Sequence, residues 1–306
     1  MKSILTAGLV CLAASFTCAA QSANGPGIPA SVTITLEPKH GKTIPPVEAH
    51  DLQVKEAGDP RPIEQLTPLA NSGMQLLLLI DDSARGTFDT EIPTLKQFIM
   101  SLPANFEVGV AYMRNGMAAM TANYTRDHAA AANAIRIAFG PGGADVSPYD
   151  SLTDAVKKWP TNDGESKEVI MISSGIEGLG GGWNPDNPYV DAGIRSAQQA
   201  GVVVYTIYSP SVGHLGHAFW RNTWGQNFLS QLSDETGGES YMIGYGSPVS
   251  FQPFLQQIAA QWPNQYRLTF SAKPENKSGL QPLTISAIHK DFSIAAPDRV
   301  YIRAGM

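Results

Sequence analysis

The stretch "MQLLLLIDDSARG", Met74 to Gly86, sets an unbroken apolar run against two aspartates, a serine and an arginine. A run with no alternation is the pattern of a strand buried on both faces by helices. The polar residues then fall where such a strand leaves the sheet. In open parallel sheets, ligand crevices form outside these carboxyl ends.

The chain on both sides of this stretch supports that reading. "DTEIPTLKQFIMSL" places Ile92, Leu95, Phe98, Ile99 and Leu102 at helical spacing. Because proline suits only a helix's first turn, the spacing predicts that this helix begins at Pro93. Strand "FEVGVAYM", a short strand "GMAAMTAN", helix "RDHAAAANAIRIAF", loop "GPGGADVSP" and helix "YDSLTDAVKKW" follow. Next come strand "EVIMIS", the glycine loop "GIEGLGGGWNPDNP", helix "YVDAGIRSAQQA" and strand "VVVYTIY". Helix "WGQNFLSQLSDET", strand "ESYMI" and helix "SFQPFLQQIAAQW" complete the series. Strands separated by helices imply right-handed crossovers and a doubly wound α/β domain with a mostly parallel sheet, over residues 71–263. On either side the texture is different. "SVTITLEP" and "DLQVKE" alternate with period two before this domain, as do "QYRLTFSA", "LQPLTISAI" and "DRVYIRA" after it. Residues 31–70 and 264–306 are expected to pair as one flanking antiparallel β module.

The first twenty residues, "MKSILTAGLVCLAASFTCAA", have a basic start, an apolar centre and small residues before Gln21. They read as a signal peptide cleaved after Ala20, followed by a leader over residues 21–30, and imply a secreted or periplasmic protein. Both cysteines lie inside that segment, so the remaining chain would hold its fold without disulfides. No later run reaches the roughly 18 apolar residues of a membrane span. With 16% charged residues and a formal net charge of -6, the chain lacks the clustered Lys and Arg that nucleic acid requires.

Three loops should meet at the strand ends: "DDSARG", "GPGGADVSP" and "SSGIEG". Together with the strand-helix order, they resemble the von Willebrand factor A domain, in particular its secreted bacterial relatives, over most of the chain. The resemblance implies a metal-ion-dependent adhesion site with an Asp-x-Ser-x-Ser motif, a threonine on the second loop and an aspartate on the third. Asp81 and Ser83 match the first two positions, but Arg85 replaces the second serine, Val146 falls at the threonine and Ser174 at the aspartate. A hard cation needs several oxygen ligands. Here Asp81 and Ser83 are the metal-ligand candidates, with Asp145, Ser147 and Glu177 as helpers. These departures point to a degenerate site without a cofactor, and because a lone buried carboxylate is costly, Arg85 is expected to pair with Asp81 and take over the cation's electrostatic role. Mg²⁺ or Ca²⁺ held by the remaining oxygens is the alternative. On the plainest reading, Asp81 and Asp82 only cap the next helix.

Little other chemistry stands out. His214 and His217 in "HLGHAFW" are three apart, a spacing that would present two imidazoles to zinc from a helix, but no third ligand is marked. They lie in "SPSVGHLGHAFWRNTWGQ", a connection long enough to suggest a binding loop. "GLGGGWNPDNP" lacks the lysine of a phosphate loop, and no Gly-x-Ser-x-Gly occurs. The expected function is thus a non-enzymatic module that binds a protein or extracellular polymer at the crevice, with Trp183 and Trp220 as rim anchors. A cation-dependent adhesion module and a metal-assisted hydrolase using His214 and His217 are the alternatives.

Overall fold

The computed structural model describes residues 27–39, 44–84, 87–140, 147–160, 165–178, 186–210, 219–244, 246, 248–289 and 291–305. In chain order, β1 (Ile28–Pro38), β2 (Leu52–Glu56), β3 (Asp59–Arg61) and β4 (Ile63–Pro68) come first. The middle of the chain holds β5 (Met74–Asp81), α1 (Thr87–Met100), β6 (Phe106–Arg114), β7 (Met117–Thr125), α2 (His128–Asn133), α3 (Pro148–Lys157) and β8 (Ser166–Ser173). It continues with α4 (Pro188–Ala200), β9 (Val202–Tyr208), α5 (Phe219–Thr236), β10 (Ser240–Tyr241) and α6 (Gln252–Gln261). The chain closes with β11 (Gln265–Ala272), β12 (Gly279–Ala287), β13 (Phe292–Ala295) and β14 (Arg299–Ile302).

The middle strands form a six-stranded sheet ordered β10-β9-β8-β5-β6-β7. All its pairs are parallel except β6 with the edge strand β7. Counted within this domain the order is 3-2-1-4-5-6, that of the doubly wound α/β class. All eight residues of β5 are buried, because each face has its own apolar layer. Leu76, Leu78 and Ile80 pack with α1 and α6, while Leu77 and Leu79 pack with α3, α4 and α5.

The terminal segments form two four-stranded sheets, β13-β1-β11-β4 and β14-β12-β2-β3, each built from both ends of the chain; the ends alternate in the first and meet once, at β12-β2, in the second. Val32, Ile34, Leu36, Val54, Leu268, Phe270 and Leu283 share the core between them. β13 completes the first sheet and was not anticipated among the period-two segments.

Three expectations need correcting. Helix α1 begins at Thr87 and keeps Pro93 in its interior. An interior proline forfeits one backbone hydrogen bond, but Phe88 and Leu95 on either side are fully buried, and that packing holds the helix through it. Helix α2 stops at Asn133 instead of running to Phe139. Beyond it, the Tyr112 hydroxyl donates to the Arg136 carbonyl at 2.6 Å and accepts from the Arg136 N–H at 2.8 Å, competing with helical bonding. Helix α5 starts at Phe219, so the connection expected to be long is cut short by helix. His214 and His217 lie outside the described residues.

Candidate functional site at the strand ends

β5 ends at Asp81, one register step beyond Ile80, which pairs with Tyr112 of β6 on one side and Ile172 of β8 on the other. The chain turns at once, with the Ala84 N–H donating to the Asp81 carbonyl at 3.0 Å. Asp81 Oδ1 accepts from the Ser83 N–H at 2.8 Å and from the Ser83 hydroxyl at 2.7 Å. Both residues are buried. Burial pushes the Asp81 carboxyl up to about 6. The two Ser83 bonds oppose that rise, and the neighbouring Asp82 adds to it.

Asp82 is fully buried and fixes a different segment. Its carboxylate receives the Arg136 guanidinium in a fork, Nη1 to Oδ1 at 2.7 Å and Nη2 to Oδ2 at 3.3 Å. Oδ1 also accepts the Phe139 N–H at 3.1 Å, and the Asp82 carbonyl accepts the Gly140 N–H at 2.9 Å. The guanidinium lies 3.9 Å from the centre of the Tyr112 ring and 4.7 Å from that of Phe139. Bidentate geometry and aromatic stacking both favour arginine over lysine here. The result is a cation whose position is fixed by Asp82, Tyr112 and Phe139. Ile137 and Phe139 beside it are 49% and 59% exposed.

The second loop contributes Ser147, the N-cap of α3. Its hydroxyl accepts the Asp150 N–H at 3.1 Å and donates to Glu177 Oε2 at 2.6 Å, both side chains being buried. On the third loop, the Gly175 N–H donates to the Ser173 hydroxyl at 3.1 Å and the Ile176 N–H to that of Ser174 at 3.4 Å. The Tyr149 hydroxyl donates to the Gly175 carbonyl at 3.0 Å. Gly175 has φ 67°, and a Cβ there would run into the Gly225 carbonyl of α5, while one at Gly225 would meet the Ser174 carbonyl. This loop therefore lies backbone to backbone on α5.

Asp81, Ser83, Ser147, Ser174 and Glu177 thus stand on three loops at one end of the sheet, tied into local pairs. Arg85, Asp145, Val146 and Trp183 lie outside the described residues, and with them the proposed pairing of Arg85 with Asp81. Trp220, at the start of α5, is 45% exposed, with the Arg221 guanidinium 5.2 Å from its ring centre. The Asp82 side chain accepts from Arg136 and the Phe139 N–H, in place of the helix-capping role expected on the plainest reading. Arg136 carries no local mark of this role, because "RDHAAAANAIRIAF" reads as one helix.

The donor set does not match a family-type cation site. Among the described residues, the first two loops and Ser174 offer three hydroxyls and two carboxylates, Asp81 and Asp82, and Asp82 is committed to Arg136, which leaves the set short of the oxygen count and charge a hard cation takes. The Ser147 hydroxyl is turned to Glu177, and no group of three or more His, Cys, Asp or Glu suited to a metal occurs among the described residues.

Strand order and strand-end loops together define a von Willebrand A-like α/β domain with an antiparallel β module at its side. No family model matches the sequence, and no curated protein matches it. Among solved structures, BatB from Bacteroides thetaiotaomicron is similar at 14% identity and TM-score 0.45, over 62% of this chain and 98% of that one. An aerotolerance-related membrane protein from Bacteroides fragilis is similar at 14% identity and TM-score 0.42, over 62% and 98%. The SpRpn10 VWA domain is similar at 12% identity and TM-score 0.41, over 60% and 94%. At these values, nothing about the site follows from the likenesses.

Proposed function

We propose that the strand-end surface is a protein-binding site that works without a metal, with Arg136 as its fixed positive charge. The observation that carries this reading is the Asp82–Arg136 fork, buried on the aspartate side and 29% exposed on the arginine side, next to exposed Ile137 and Phe139. A cation held rigidly among aromatic rings loses little freedom on binding a carboxylate. Exposed apolar side chains beside it add the desolvated area on which protein contacts depend. The partner would be a protein or extracellular polymer presenting an acidic group.

The chain is read as non-enzymatic and, from its N-terminal segment, as secreted or periplasmic. Among the described residues, no helix is long and apolar enough to cross a membrane. Cation-dependent binding is the second reading. It is favoured by one observation, the buried pair of adjacent carboxylates Asp81 and Asp82, which a bound cation would also relieve.

The test is capture of envelope proteins by the immobilised chain lacking its first twenty residues, in chelator, beside an Ile137→Ser/Phe139→Ser variant. The proposal expects partners retained in chelator and lost by the variant with its melting curve unchanged. Partners retained only with added Mg²⁺ or Ca²⁺ would favour the second reading.

A further inference from the structure

β1 is covered unevenly along its outer side. β11 pairs with Ile28 to Thr35, whereas β13 reaches only Thr35 to Pro38. The Lys39 N–H donates to the Asp291 carbonyl at 3.4 Å, so odd-numbered residues of β1 turn their main-chain groups toward the β13 side. On the other strand, the Ser271 N–H donates to Pro62, so Ser271, opposite Pro29, faces β4 and not β1. The N–H and C=O groups of Ser31 and Thr33, and the carbonyl of Pro29, therefore point to a side on which no strand pairs among the described residues. Pro29 fits this parity, since it has no N–H to give the β11 ladder.

This open edge lines a groove of about 360 Å³, within the range of formed binding sites. Arg299, Tyr301 and Arg303 line it too, with the end of α4 and the start of β9. It therefore lies at the opposite end of the parallel sheet from Asp81. The Asp298 carbonyl accepts the Leu283 N–H at 2.7 Å, so the main-chain groups of Arg299 and Tyr301 turn away from β12. Two sheet edges thus border one groove. In a chain of formal net charge -6, the charged residues lining it are two arginines, Arg299 and Arg303.

We propose that this groove takes an extended segment of a partner protein by strand addition to β1, with acidic side chains of that segment set against Arg299 and Arg303. Main-chain hydrogen bonds to Ser31 and Thr33 supply affinity, and alternate side chains supply specificity. At about 3.3 Å per residue, the edge from Ile28 to Thr33 seats roughly five or six residues.

The test uses fluorescence anisotropy of a labelled peptide, Thr-Glu-Val-Glu-Val-Thr, titrated with the chain lacking its first twenty residues. The controls are the same peptide with lysines for glutamates and with its backbone N-methylated at alternate residues in either register. Saturable binding of the acidic peptide is expected. It should weaken at least about tenfold with the lysine peptide, with one N-methylated register and with an Arg299→Glu/Arg303→Glu variant. Thr33→Pro, which removes an outward N–H, should act in the same direction, and Ile137→Ser/Phe139→Ser should leave binding intact. No saturable binding of the acidic peptide would overturn the proposal. So would equal binding by both N-methylated registers, or by the folded double charge-reversal variant.

Discussion

The two ends of the parallel sheet each bury carboxylates, and they use them differently. At the amino end, Glu168 is fully buried and pushed up to about 7 by that burial, against the lowering effect of its hydrogen bonds. Its oxygens accept the Trp262 indole N–H at 2.6 Å and the Gln265 amide at 2.5 Å. Those partners sit where the helical domain passes into β11, so Glu168 fastens one part of the molecule to another. At the carboxyl end, Asp81 bonds within its own turn, and Asp82 holds an arginine that reaches solvent. Burial of a charge alone therefore does not mark a binding surface. What marks it is whether a partner of that charge remains accessible.

Five substitutions would break or sharpen this contrast. The largest effect is expected from Gly175→Ala, which sets a side chain against the backbone of α5 at a positive φ. It should cost about 3 kcal/mol or more in urea unfolding. A loss under 1 kcal/mol would mean that the third loop is free to move off α5. Next, Asp82→Ala leaves Arg136 without its fork. Removing one member of a buried pair costs about 3–5 kcal/mol, which the partial exposure of Arg136 reduces to roughly 2. Chemical denaturation measures this, and binding in the capture experiment should fall with it.

Glu168→Gln separates the two ends by pH. Glu168 and Asp81 both hold their protons more tightly folded than unfolded. Their contribution to stability is therefore full below their ordinary values of 4.5 and 3.8, and is lost as pH rises through about 7 and about 6. The glutamine should lower stability at pH 5, because its amide NH₂ meets a donor. It should also flatten the decline between pH 5 and 8, whereas Asp81→Asn should flatten only the lower part. Equal slopes in wild type and Glu168→Gln would show that the amino-end carboxyl stays ionised. The smallest effect is expected from Phe139→Ser alone, within about 0.5 kcal/mol in stability but with weakened partner capture.

The parallel strands were legible because strands covered on both faces lose alternation, as "LLLLI" and "VVVYTIY" do. The β module was legible for the opposite reason, its period-two pattern. Pro93 misled because local rules place proline in the first turn, whereas packing of Phe88 and Leu95 keeps the helix going. The site was half legible. Asp81, Ser83, Ser147 and Glu177 could be found from loop position. The Asp82–Arg136 fork spans more than fifty residues and depends on Tyr112 diverting the chain after α2, which no local pattern records.

The most direct test of a metal-free site is thermal unfolding of the chain lacking its first twenty residues, first in chelator and then with millimolar Mg²⁺, Ca²⁺, Mn²⁺ or Zn²⁺. A ligand bound only by the folded state must raise the midpoint. The account predicts the same midpoint in all five solutions. A rise with Mg²⁺, Ca²⁺ or Mn²⁺ that disappears in Asp81→Ala would contradict it and place a cation where Arg136 is assigned the positive charge.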